Sequence, residues 1–169
     1  MNPERVSTVE AGPVRTVLVR VAPGEDLFEA LSEVCARYGI ESGYIASMIG
    51  SLKTADVVCV TEDPENPERS VYLEPYRMEG RIELVTASGI IGQEDGRLSL
   101  HLHGVVAGSD MKPLAGHLAD RGETKVLSTV EAVIGVFSGA KFLRSFDEET
   151  GFVLFRPFPS GPGGDRPRE

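Results

Sequence analysis

The chain has 169 residues, 41% hydrophobic and 25% charged, with a formal net charge of −9. That length and composition suit one globular domain with its own buried core, and they exclude a collagen-like or wholly disordered chain. The 17 lysines and arginines form no dense run, so the sequence lacks the clustered cations from which nucleic-acid binding draws its affinity.

Residues 1–14 read as an N-terminal extension without the apolar core of a signal peptide. Arg15–Val21 is β-branched and mostly apolar and predicts a first strand. Pro23-Gly24-Glu25 makes a turn, and Asp26 with Glu29 three residues on has the form of a capping box. Leu27, Ala30, Leu31, Val34, Cys35 and Tyr38 then follow the spacing of one buried helical stripe, which Gly39 ends. From there the pattern is almost entirely β. Residues 43–49 predict a strand that stops at Gly50-Ser51, and residues 55–61 predict another. A polar, proline-broken loop follows over 62–69, then a short edge strand over 70–74. Residues 80–91 predict a long strand, and Gln93-Glu94-Asp95-Gly96 supplies hairpin chemistry leading into a strand over 97–106. Residues 126–137 are apolar and β-branched, interrupted by Glu131. Residues 142–146 and 152–155 flank a turn and close the sheet. The Pro/Gly-rich stretch 157–169 reads as a disordered tail. Its Arg166-Pro167-Arg168 is faintly similar to an AT-hook core, but Asp165 stands beside it and the central glycine is missing.

All three histidines lie close together in the chain: His101, His103 and His117. Along the strand over 97–106, Leu98, Leu100 and Leu102 fall on one face, and Ser99, His101 and His103 on the other. The loop from Gly108 to Pro113 can bring His117 back, with Ala115-Gly116 letting the backbones approach closely. Three imidazoles with a fourth position open are the ligand set of a catalytic or exchangeable zinc site. A histidine pair on a strand also arises as a half-exposed polar face, so the residues alone leave both readings open. Glu131 is open in the same way. It is a metal ligand, a partner to a metal-bound histidine, a general acid/base, or a carboxylate pointing outward. Cys35 and Cys59 have no motif spacing and read as reduced, small core residues of a cytoplasmic protein. No apolar run is long enough to span a bilayer.

Several segments in order resemble one family, the PPC domain shared by plants and prokaryotes. They are Pro23-Gly24-Glu25-Asp26-Leu27, Ile49-Gly50-Ser51-Leu52, Arg81-Ile82-Glu83-Leu84 and Ser88-Gly89. Asp95-Gly96, His101-Leu102-His103, Gly116-His117-Leu118 and Thr129-Val130-Glu131 continue the match. The resemblance covers residues 15–156. It implies an α+β fold, a mostly antiparallel sheet with one main helix packed on it, in a single domain that forms homotrimers. Prokaryotic members usually consist of the domain alone and carry the description of predicted DNA-binding proteins. Many hold zinc through histidines that correspond here to His101, His103 and His117. The usual Gly-Gly-His is Ala115-Gly116-His117 in this chain, and no AT-hook is present in this sequence.

The implied function is a metal-binding protein, zinc or another divalent transition metal, with a regulatory or ligand-sensing role. A small anionic ligand is one candidate partner and DNA another, the latter disfavoured by the charge. The three-histidine site on such a sheet is also similar to that of acetolactate decarboxylase, which places acidic and arginine side chains around its zinc. The competing reading is therefore a zinc-dependent lyase acting on a small oxo-acid, or a hydrolase, with Glu131, Arg20 and Arg81 as its side-chain candidates.

Overall fold

The computed structural model describes residues 5–12 and 15–160. Among the described residues there are one helix, α1 (Leu27–Tyr38), and ten strands. These are β1 (Arg15–Val21), β2 (Gly43–Val58), β3 (Val60–Glu62), β4 (Ser70–Tyr72), β5 (Tyr76–Glu94), β6 (Arg97–Ala107), β7 (Pro113–Leu118), β8 (Val126–Val136), β9 (Ala140–Asp147) and β10 (Phe152–Pro159). Eight of them form one sheet in the order β1-β8-β2-β7-β6-β5-β9-β10, and β3 pairs with β4 separately. The large sheet is mixed but mostly antiparallel; β5 and β9 run parallel over a short stretch. Because β2 pairs with both β5 and β7, strands β2, β5, β6 and β7 close a circuit on themselves.

The helix forms as its sequence dictates. The Asp26 carboxylate accepts from the backbone N–H groups of Phe28 and Glu29 at 3.0 and 3.1 Å, meeting two of the donors a helix start leaves over. Gly39 takes the left-handed conformation that ends it. Leu27, Leu31 and Cys35 are buried, as the stripe requires, with Phe28 beside them, while Tyr38 lies outside the core at 47% exposure. Burial pushes the Cys35 thiol up to about 11, which makes it an inert packing group. The helix stripe shares one buried core with Ile45, Met48, Ile82, Leu84, Ile91 and Leu102 of the sheet.

The strands differ from expectation in informative ways. The two strands expected on either side of Gly50-Ser51 are one, β2, which bends there through register shifts against β5 and β8. Cys59 is exposed rather than a core residue, because it falls between β2 and β3, where the alternation of buried positions has ended. The segment that carries His117 is a strand, β7, and not an extension of the preceding loop. Pro113 stands at its first residue, where the missing N–H does least harm. The disordered tail expected from Pro157 does not begin there, since Pro157, Phe158 and Pro159 continue β10 against β9. β10 is an edge strand, and two prolines two residues apart turn their nitrogens to the same, unpaired side. Residues 161–169, with the arginine pair at 166 and 168, lie outside the described residues.

Candidate metal centre

The β5–β6 hairpin sets the position of the first two histidines. Asp95 and Gly96 both have positive φ, 50° and 75°, the combination of a two-residue type I′ turn. That turn fixes the register so that Ile90 stands opposite His101 and Ser88 opposite His103. Leu102, between the histidines, is fully buried on the inner face, so both imidazoles are driven to the outer face. On the other side of β6, β7 pairs in a register that sets His117 directly opposite His103. The close approach expected at Gly116 is real. A Cβ there would meet the Val58 carbonyl oxygen of β2 at 2.5 Å.

The three rings converge. His101 Nε2 and His103 Nε2 are 3.0 Å apart. The ring centroids lie 5.0 Å apart for His101 and His103, 4.9 Å for His101 and His117, and 5.4 Å for His103 and His117. One nitrogen from each ring falls within a group whose members are all within 4.8 Å of one another. Two imidazole nitrogens bound tetrahedrally to one zinc ion are about 3.3 Å apart, close to the His101–His103 separation. The buried Nδ1 of His117 has no hydrogen-bond partner among the described residues, a cost that a metal bond or a rearranged ring would remove. The donor set therefore fits a divalent transition metal.

The electrostatics also suit a cation that needs neutral ligands. Burial first, then the neighbouring His101 and His103, then Arg144, pull the His117 pKa from 6.5 down to about 4. Burial, His103 and Arg144 lower that of His101 in the same sense. Both rings are thus unprotonated at neutral pH and ready to ligate. A group whose folded pKa lies below its unfolded value favours folding above the unfolded pKa. That contribution is lost as pH falls toward the folded value. The melting temperature of chelator-treated protein is accordingly expected to drop as pH falls from 6.5 to about 4, more steeply than in the His117→Asn variant. Parallel profiles for the two proteins would refute this.

Aromatic side chains surround the cluster. Tyr72 of β4 stacks on His117 with centroids 6.1 Å apart, and Phe152 of β10 packs edge-on against Tyr72 at 5.0 Å. Phe155 lies 6.4 Å from His101. Beside His101 and His103 opens a hollow of about 660 Å³, also lined by Tyr44, Ile45, Ala46, Ser88, Gly89 and Ile90. Glu131 does not join this group. It stands opposite Arg20 on β1 and Ile49 on β2, is exposed, and accepts a hydrogen bond from the Thr129 hydroxyl at 3.3 Å. Arg81 lies exposed on β5. The arginine that does approach the histidines is Arg144, which the sequence did not single out, because its link to them runs through β9 and the hairpin fold rather than through spacing.

The model of the Plants and Prokaryotes Conserved (PCC) domain matches residues 8–138. The chain belongs to the PCC domain family. Among solved structures, a plant- and prokaryote-conserved (PPC) protein from Pyrococcus horikoshii is 26% identical, with a TM-score of 0.69 over 87% of this chain and 93% of that one. A metal-containing protein from Archaeoglobus fulgidus is 26% identical, with a TM-score of 0.68 over 89% of this chain and 98% of that one. A candidate DNA-binding protein from Bacteroides thetaiotaomicron, 24% identical with a TM-score of 0.69 over 83% of this chain and 90% of that one, shares the fold. The PCC chain is also 26% identical over 149 residues to a bifunctional GlmU protein of a Synechococcus strain, covering 88% of this chain. It spans about a fifth of the curated relatives it matches, 21% and 22% of their lengths.

Proposed function

We propose that this PCC-domain protein holds a zinc-like divalent metal through His101, His103 and His117, and that the bound metal serves ligand sensing or regulation. The observation that carries the reading is the convergence of three histidine nitrogens within 4.8 Å, on a strand register that sets His117 opposite His103. A metal-containing relative of the same fold supports it. Protein purified without an affinity tag should contain about one such metal per chain by elemental analysis, and metal-free protein that takes up none in titration would end the proposal.

The assembly that suits this fold is a homotrimer in the cytoplasm. Leu18, Ile49 and Val85 expose 78%, 47% and 51% of their surface, apolar area that a second copy would cover. No helix among the described residues is long and apolar enough to cross a membrane. DNA is a weaker candidate partner. The neighbour from Bacteroides speaks for it, and the net charge of −9 speaks against it. A salt titration separates the two: DNA affinity that falls steeply with salt supports contact, and no binding at low salt rejects it.

One observation favours the competing enzyme reading, a zinc-dependent lyase or hydrolase: the hollow that opens beside His101 and His103. With Glu131 held elsewhere, that reading has no carboxylate from the sequence candidates to move a proton at the metal. Ligand sensing asks less of the site and fits it better.

A further inference from the structure

Part of the wall around the histidines comes from beyond the family match, which ends at residue 138; β9 and β10 follow it. Gly92 of β5 lets this hairpin approach, since a Cβ there would lie 2.6 Å from both the Phe142 carbonyl oxygen and the Phe155 ring. Phe155 then faces His101.

Arg144 projects from the same hairpin. Its side chain is only 17% exposed, and its guanidinium lies 5.5 Å from the centre of the Phe155 ring. Nε donates to the Val153 carbonyl at 3.2 Å and Nη1 to the Ser99 hydroxyl at 3.3 Å. Ser99 shares a strand face with His101 and precedes it by two residues, a step of about 6.6 Å. The Glu94 carboxylate lies 3.8 Å from Nη1 and is 41% exposed, so it offsets the arginine charge only in part. None of these contacts uses Nη2.

An enclosed guanidinium beside a metal site is repelled by the ion, and an anion bound between the two removes that repulsion. The planar fork of arginine matches a carboxylate in shape and charge. The hollow on the outer face supplies the other half of a ligand site, with Tyr44, Ala46 and Ile90 presenting apolar surface next to His101. We infer that Arg144 and the histidine-held metal together bind the carboxylate of a small apolar acid, whose hydrocarbon part lies against Tyr44 and Ile90. The inference rests on the metal reading above and adds the class of ligand.

Cobalt(II) makes the test visible, because its absorption spectrum reports ligands entering the open position. Cobalt-loaded protein is titrated with benzoate and, as an uncharged control of the same shape, with benzamide. Benzoate should shift the spectrum and benzamide should not. Arg144→Gln should retain cobalt and weaken benzoate about tenfold or more, the cost of one charge-assisted contact. Arg144→Lys should fall between the two. Glu94→Gln, which leaves the arginine in place, should tighten benzoate and decides the matter if Arg144→Gln folds poorly. Equal binding of benzamide, or benzoate affinities unchanged within about twofold across these variants, overturns the inference alone. Protein that takes up no cobalt overturns the metal reading together with it.

Discussion

His103→Ala should leave a folded protein that no longer retains metal. His103 is the exposed member of the three, on an outer sheet face, so its removal opens no cavity in the core. Losing a ligand must cost more than the roughly 10–100-fold in affinity that follows loss of an outer-shell partner. Metal content should therefore fall from about one ion per chain to under a tenth of that after dialysis. Thermal unfolding gives an independent readout. A metal present at about a thousand times its dissociation constant stabilises the folded state by about 4 kcal/mol. In a domain of this size that raises the melting temperature by roughly 8–16 °C. Zinc should produce a rise of that order in the unsubstituted protein and almost none in His103→Ala, while the two metal-free proteins melt together. If zinc stabilises both equally, the ion binds elsewhere.

The site was legible in the sequence to the extent that local periodicity carries it. Alternation along a strand is a two-residue rule that puts His101 and His103 on one face, and Leu102 lies fully buried between them. Asp95-Gly96 announced the hairpin that fixes their register. The partner strand was harder. Pro113 and Gly116 give β7 residues that usually mark loops, and what makes it a strand is pairing with its neighbour β6 on one side and with β2, distant in the chain, on the other. Arg144 was invisible for a stronger reason. It meets Ser99 across 45 residues, through a hairpin that packs on the site only because Gly92 leaves room. Glu131 shows a different limit. A carboxylate in an apolar run leaves candidate chemistry and an outward-pointing side chain equally open, and it is exposed on a face that accommodates it at little cost. Local rules located the ligands, while the residues around them depend on tertiary packing.

Gly116→Ala tests that dependence, and its effect should be large for so small a change. The added methyl would sit 2.5 Å from the Val58 carbonyl oxygen, 2.9 Å from a Val57 methyl and 3.1 Å from the Cys59 sulfur. The nearest of these is backbone, in a strand hydrogen-bonded to β7 through Val57↔Leu118 and Val58↔His117, so it cannot rotate away. β7 must lift from β2 instead. Overpacking of this kind costs about 1–3 kcal/mol, and a backbone clash belongs at the upper end. The expected drop in melting temperature is about 6–12 °C. Because His117 is the next residue and pairs with His103 on the far side, lifting the strand also carries one imidazole away from the other two. Zinc affinity should therefore fall as well, although every ligand is present. A Gly116→Ala protein that melts lower but binds zinc with unchanged affinity would show that β7 tolerates displacement without disturbing His117. An alanine variant unchanged in both respects would mean that β2 and β7 are not packed this closely.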